Sequence, residues 1–466
     1  MAENIITHQN SEKLHKKRIN SWVMYDWANS AFATTIMAAV LPVYYSSVAS
    51  ANLTRADATA NWAFTTTIAL IIVAIMSPIL GAMADFSGAK KKYLTIFVII
   101  GVTGTALLYL VQTGDWIKAS IFYIIASIGF SGGIVFYDSL LPHVARPDEI
   151  DQVSSKGYAI GYLGGGLLLA VNLAMIMITP EQLNGIFQNT GLVTTITMSA
   201  GEWAGLMSRL SFVSVAIWWL VFTIPLWRNV PEPPRRVKEG EEGFNPVQAS
   251  FSRLAHTFGE ISKYKQLLKF IIAFWLYNNG IGTIIYMATI YGTELGFSSI
   301  TTIGTLLMVQ FVAFPFAFLF GWLAKKLGTK RAILLSLVIY SIIAIMGYFL
   351  YQEWQFWMLG FLVATVQGGS QALSRSLCGR MMPKSKSAEF YGFFSVSEKI
   401  AGTAGPLLFG LVSKLMGGSR LSIVSLILFF ISGALVLLSV DEKEGIRVAE
   451  AEEQEFLNAS SNLSAV

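Results

Sequence analysis

Two stretches decide how this chain folds: Gly81-Ala-Met-Ala-Asp85-Phe-Ser-Gly88-Ala-Lys90-Lys91-Lys92 and Gly321-Trp-Leu-Ala-Lys325-Lys-Leu-Gly328-Thr-Lys330-Arg331. Each reads glycine, three residues, a charge, two residues, glycine, one residue, then basic residues. They stand 240 positions apart. Two unrelated basic loops would be the plain explanation. Matched glycine spacing at equivalent places favours a duplicated unit instead. Working outward from each motif, the flanking sequence is apolar over lengths that suit a bilayer. About 20 apolar residues cross about 30 Å of hydrocarbon as a helix. Twelve such runs follow: Trp22–Tyr45, Asn61–Met83, Tyr93–Gln112, Ala119–Leu141, Tyr158–Thr179, Gly205–Trp227, Leu268–Tyr291, Ile300–Leu323, Ala332–Tyr351, Trp354–Ser376, Tyr391–Val412 and Leu421–Val440. They are continuous rather than alternating in short strands, which predicts helices and not a barrel. The expected fold is an all-α integral membrane protein with twelve transmembrane helices in two pseudo-symmetric six-helix halves.

Composition agrees. Of 466 residues, 54% are hydrophobic and 13% charged, with mean hydropathy +0.57. A soluble domain carries about 25% charged residues, so soluble and disordered chains are excluded. The single cysteine, Cys378, excludes an intramolecular disulfide, and four scattered histidines give no metal-ligand spacing. No phosphate-binding loop of the Gly-x-x-x-x-Gly-Lys-Ser/Thr type occurs, so no nucleotide or other cofactor is expected. Gly129-Phe-Ser131-Gly-Gly133 fits an esterase pattern, but it falls inside a span without a strand–turn–helix. An enzyme is not expected.

Charge placement orients the chain. With the N-terminus inside, 28 of the 33 Lys and Arg lie on the inner side. The outer side holds only Arg55, Lys118, Arg209, Lys414 and Arg420. This positive-inside asymmetry predicts cytoplasmic termini and explains the net charge of +5 without nucleic acid. The first apolar run is read as an uncleaved anchor. The expected organisation is a cytoplasmic tail (1–21), a first half (22–227), a linker (228–267), a second half (268–440) and an acidic, poorly ordered tail (441–466). In the linker, Val247, Phe251, Leu254, Phe258, Ile261 and Tyr264 recur at helical steps. That periodicity predicts an amphipathic helix lying on the inner leaflet.

Two six-span halves, a long central loop and Gly81…Asp85…Gly88…Lys90 resemble the major facilitator superfamily. Within it, several stretches resemble the unknown major facilitator-1 family, which includes fungal vacuolar amino-acid effluxers linked to autophagy. They are Tyr25-Asp-Trp-Ala-Asn29-Ser-Ala-Phe32, Phe136-Tyr-Asp-Ser-Leu-Leu-Pro142, Gly157-Tyr-Ala-Ile-Gly161-Tyr162-Leu-Gly-Gly-Gly166, Gln367-Gly-Gly-Ser-Gln371-Ala-Leu-Ser-Arg375-Ser376 and Glu389-Phe-Tyr-Gly392 onward to Gly405-Pro406. The short loops look bacterial. The resemblance implies a cavity lined by spans one, four, seven and ten. It also implies a conformational gate controlled by Gly81, Asp85, Gly88 and Lys90, with Gly321, Gly328 and Lys330 in the second copy.

Those four spans carry unusual polarity. A charge at the centre of a span costs about 2.5–3.5 kcal/mol on insertion scales, so it tends to face a cavity or a partner. Span one has Tyr25, Asp26 and Asn29 on one helical face. Asp26 reads either as a proton or ammonium site or as an acid among headgroups. Span four ends in Tyr137 and Asp138, the acid set to pair across the cavity or with Arg146. Span seven holds Asn278 and Asn279, for substrate contact or interhelical bonding. Span ten repeats Gln367, Gln371 and Arg375 every four residues, a polar stripe that fits a cavity wall. Arg375 offers paired donors for a carboxylate or for a gate ion pair. Glu398 and Lys399 lie in span eleven. The glycine run from Gly157 reads as a close helix contact.

The expected function is alternating-access transport of a small polar solute, amino acids first by resemblance, with a coupling proton on Asp26 or Glu398 and efflux as one direction. A sugar or drug carrier of the same superfamily is the alternative, and a membrane solute sensor or receptor is the alternative of another class. The expected partners are the solute, the proton and the lipid bilayer, with the protein a monomer in a bacterial cytoplasmic membrane.

Overall fold

A computed structural model describes residues 2–189, 196–234, 245–259, 261–416 and 419–463. Their regular structure is helical throughout. The first half contains α1 (Ala2–Ala31), which continues through a π-helical stretch into α2 (Val40–Tyr44), then α3 (Arg55–Ser87), α4 (Lys90–Leu107), α5 (Trp116–Val144), α6 (Ile150–Met177), α7 (Pro180–Asn189) and α8 (Ala200–Asn229). The linker carries α9 (Pro246–Gly259). The second half contains α10 (Lys265–Glu294), α11 (Ser299–Leu327), α12 (Thr329–Tyr348), α13 (Glu353–Arg380), α14 (Ser387–Met416), α15 (Ser419–Ser425) and α16 (Ile427–Leu438), followed by α17 (Glu442–Leu463).

Among the described residues, ten helical segments are long and apolar enough to cross a membrane. Of the other two expected spans, α13 is long but too polar to qualify by composition, and α14 has its side chains described only in part, leaving Gly405–Met416 as a shorter apolar helix. The polarity of α13 comes from residues expected to work: Gln367, Gln371 and Arg375.

Each half has its own aromatic core. One is built on Trp22, Phe32, Phe136, Tyr137 and Trp219, the other on Phe270, Tyr277, Tyr340, Tyr391 and Phe430. The halves meet along α3 with α14 and along α6 with α11 and α13. The two motif copies do the same local work. Gly88 and Gly328 end α3 and α11 with φ of 59° and 90°, where a Cβ is disfavoured. Gly81 lies against the carbonyl of Ala388 in α14, and Gly321 against Ser155 in α6, so each first glycine lets its helix touch the other half.

Three expectations need correction. The acidic tail is the ordered helix α17, because its acids find cations: Arg380 pairs with Glu442, and Lys386 with Glu452 at 2.5 Å. The linker helix also docks on the bundle, a contact its periodicity did not reveal. α9 packs on α3, burying Ser250, Arg253 and Leu254 and leaving Phe251 55% exposed. The N-terminal residues are no separate tail, since α1 is unbroken from Ala2, and Arg146 and Glu149 grip it through Glu12 and His15. Between the apolar positions of the linker stand the polar residues Arg253, His256, Glu260, Lys263 and Lys265. Of these, Arg253 is buried over the Phe86 ring at 5.3 Å, Glu260 lies outside the described residues, and so does the side chain of His256.

Candidate functional site

The first turns of α1, α9 and α17 lie at one end of the bundle, the termini end. Near it, four helices bring their polar residues together. α13 presents Arg375, which is 2% exposed. Its Nη2 donates to Asp26 Oδ2 of α1 at 3.1 Å, and its Nη1 to Asp138 Oδ1 of α5 at 3.1 Å. Nε donates to Ser154 Oγ of α6 at 2.9 Å, and Nη2 also to the Ser154 carbonyl at 2.9 Å. One guanidinium therefore ties the second half to three helices of the first.

Aromatic faces wall the guanidinium. Tyr158 lies 4.3 Å from it, Trp22 5.0 Å and Tyr137 5.5 Å, so cation–π attraction adds to the ion pairs. Trp22 stacks on Tyr137 with ring centres 4.3 Å apart and donates to its carbonyl at 3.0 Å. The Tyr137 hydroxyl donates to Asp26 Oδ2 at 2.8 Å. Tyr25 leans on Tyr137 at 4.7 Å, and Asn29 lies buried one turn further along α1. Tyr391 of α14 donates to the Arg375 carbonyl at 2.9 Å, fixing the helix that presents the cation.

Sequence makes this approach possible. A Cβ on Gly157 would stand 2.8 Å from Arg375 Nη2 and would collide with Asp26 Oδ2. Gly161, Gly164 and Gly165 continue the contact along α1, so the glycine run is a packing surface, as expected. Two carboxylates face one guanidinium, and all three are buried. The cluster thus has an excess of one negative charge when every group is ionised, an arrangement that favours a further cation.

Two more latches flank it. In the first, Asp85 pairs with Lys90 at 2.7 Å and accepts the backbone N–H groups of Ala388 at 3.2 Å and Glu389 at 2.8 Å. An acid there caps the open N-terminus of α14. Lys90 also donates to Ser387 Oγ at 2.5 Å and lies 3.1 Å from His143 Nε2. In the second latch, Asp151 of α6 accepts from Ser376 Oγ at 2.5 Å and Thr329 Oγ1 at 2.7 Å, with Arg380 at 3.6 Å.

The other expected residues have different places. Gln371 accepts from the Tyr162 hydroxyl across the halves at 2.8 Å, and Gln367 is buried one turn away. Asn279 is occupied within the second half: it donates to the Trp275 carbonyl at 2.6 Å and accepts from the Gly405 N–H at 3.1 Å. Asn278 is 8% exposed beside it. Lys330 donates to the carbonyls of Leu438 and Val440 at the end of α16. The side chains of Glu398 and Lys399 lie outside the described residues. Asp138 pairs with Arg375 rather than Arg146, whose partner is Glu12. Sequence reasoning missed Ser154, Asp151, Tyr158 and Glu389. All four sit on α6 or at the start of α14, outside the spans searched for polarity.

Two halves of long apolar helices, joined across a buried ion cluster, are the architecture of a membrane transporter, and comparison with known proteins agrees. It belongs to the family described as vacuole effluxer Atg22 like, matched over residues 52–450. It is 37% identical to an MFS-type transporter of Bacillus subtilis (strain 168), YxiO, over 94% of this chain and 98% of that one. It is 23% identical to autophagy-related protein 22 of Coccidioides immitis (strain RS), over 93% and 88% of the two chains. Among solved structures, the proton:xylose symporter XylE matches with TM-score 0.66 at 16% identity, covering 94% of this chain and 98% of that one. The transporter FucP in its outward conformation matches with TM-score 0.65 at 13% identity, covering 92% and 98%. The fold is that of the major facilitator superfamily, and the chain is an MFS-type transporter.

Proposed function

We propose that this transporter moves small zwitterionic solutes, amino acids first, by alternating access. The termini end faces the cytoplasm of a bacterial membrane, and the state described is the one in which that side is shut. The observation that carries the reading is the Arg375 cluster. A guanidinium binds carboxylates in a planar fork, and Asp26 and Asp138 are the acids an ammonium would seek. An amino acid carries both complements in one molecule. Its carboxylate would compete for Arg375 and its ammonium for the two acids, so the solute itself would loosen the lock between halves. Asp26 is the first candidate for a coupling proton, with Glu398 the other.

A sugar carrier is the second reading, supported by the amides Gln367, Gln371 and Asn278, of which Gln367 and Asn278 are buried. A solute sensor would bind without moving its ligand. Counterflow in proteoliposomes separates these readings. Preloaded amino acid should accelerate uptake of labelled amino acid, and preloaded sugar should not. Stimulation by sugar alone refutes the zwitterion reading, and saturable binding without counterflow refutes transport. Asp26→Asn and Glu398→Gln should each be tested under a pH gradient; unchanged gradient-driven uptake in both removes the proton assignment.

A further inference from the structure

We infer that Glu389 is a proton-binding site of the gate at the termini end, protonated while the halves are locked and ionised once they part. The inference rests on the alternating-access reading above, but its site lies outside the Arg375 cluster.

Glu389 occupies the first turn of α14, two residues before the span Tyr391–Val412. Its side chain is fully buried. Its backbone is well served, since its N–H donates to Asp85 Oδ2 at 2.8 Å. Its carboxyl is not: neither Oε1 nor Oε2 has a hydrogen-bond partner among the described residues. Gly81 of α3 lies directly against Ala388 and Glu389, so the group is sealed by the contact that joins the halves.

The cations nearest it, Lys386 and Arg253, pull its carboxyl down, but neither hydrogen-bonds to it. From α3, Asp85 is paired with Lys90 of α4 at 2.7 Å. Lys386, just before α14, is paired with Glu452 of α17 at 2.5 Å and donates to the Tyr264 hydroxyl at 2.8 Å. From α9, Arg253 lies over the Phe86 ring at 5.3 Å, and Thr257 faces the carboxyl without hydrogen-bonding geometry. A buried carboxylate that accepts no hydrogen bond strongly favours its neutral form. Burial, reinforced by the adjacent Asp85 charge, pushes the Glu389 carboxyl up to about 7, against an ordinary value of 4.5.

Opening this end must separate α14 from α3. Water then reaches Glu389, the proton leaves to that water, and the carboxyl returns to its ordinary range. The sign follows from linkage. The closed state binds the extra proton between about 4.5 and 7, so acid favours closure and rising pH favours opening. One proton changes the open-to-closed ratio by at most about tenfold per pH unit in that window. Above about 7 and below about 4.5 the ratio is flat.

The test places spin labels across the halves at the termini end, in a Cys378→Ala background carrying Asp148→Cys and Lys325→Cys. The protein sits in nanodiscs, and label distances are measured at pH 5, 6, 7 and 8. The open population should climb steeply from pH 5 to 7 and level off. Glu389→Gln should stay closed at every pH, while Glu389→Asp keeps the climb with a shifted midpoint. A distance distribution flat over the whole range without any substitution at Glu389 overturns the inference, and so does an undiminished climb in Glu389→Gln. Amino-acid counterflow is read on the same samples. Counterflow with a pH-flat gate sinks Glu389 alone, whereas a pH-dependent gate without counterflow of any solute sinks the transport reading and leaves the proton site.

Discussion

Replacing Arg375 by Lys is the sharpest perturbation of the lock. The charge is kept, so desolvation changes little, but the fork is lost. The guanidinium spans Asp26 and Asp138 with different nitrogens, each at 3.1 Å, and holds Ser154 with Nε at 2.9 Å. A single ammonium cannot repeat that geometry. At least one charge-assisted bond across the halves disappears, and such a bond contributes about 1.5–3 kcal/mol. The closed state should therefore lose roughly 10- to 150-fold against the open one, at about 1.4 kcal/mol per tenfold. Arg375→Met goes further, because it leaves two buried acids facing each other without a cation, a loss of about 3–5 kcal/mol. The Asp148→Cys and Lys325→Cys label pair reports the shift as a growing long-distance population, in the order wild type, Lys, Met. Identical distributions in all three would refute the claim that this cluster holds the halves together. So would a Met variant less open than the Lys variant.

Other perturbations follow from the same contacts. Gly157→Ala inserts a methyl between Asp26 and Arg375, an overpacking of about 1–3 kcal/mol; counterflow should fall and the labels should move apart, as in Arg375→Lys. Asp85→Ala leaves Lys90 buried without its acid and uncaps α14, so the melting temperature of the purified protein should drop, and Asp85→Ala with Lys90→Met should recover part of the loss. Gly88→Ala places a Cβ at φ 59° for about 1–2 kcal/mol, so it should lower the melting temperature less than Gly81→Ala, which strikes the Ala388 carbonyl. Removing residues 441–466 deletes Glu442 and Glu452, which pair with Arg380 and Lys386; limited proteolysis should then cut faster between α13 and α14.

The fold was legible because it rests on periodic, local signals. The run lengths give the spans, and the glycine spacing from Gly81 and Gly321 gives the two halves. The members of the cluster were also legible, since a charge such as Asp26 or Arg375 inside an apolar helix is conspicuous. Their pairing was not. Asp26 and Arg375 are separated by most of the chain, and only packing of α1, α5, α6 and α13 decides which acid meets which base. Asn279 illustrates the opposite case, in which a conspicuous amide is consumed by the Gly405 N–H within one half. Glu389 escaped notice because it sits beside a span rather than within it, where acids are ordinary. α17 escaped because its acids look solvated until Arg380 and Lys386 are placed next to them.

The acids that cross the interface at the termini end share an origin. Asp26, Asp85, Asp138 and Asp151 all belong to the first half, while Arg375, Arg380, Ser376, Thr329 and the α14 N-terminus that answer them all belong to the second. Pseudo-symmetric halves with like faces could each dock onto a copy of themselves. Here two first halves would confront acid with acid, and two second halves donor with donor, so homotypic pairing is disfavoured by like charge. The two halves, produced as separate chains, should therefore recognise each other and not themselves, with a fixed partner choice written into one end of the bundle.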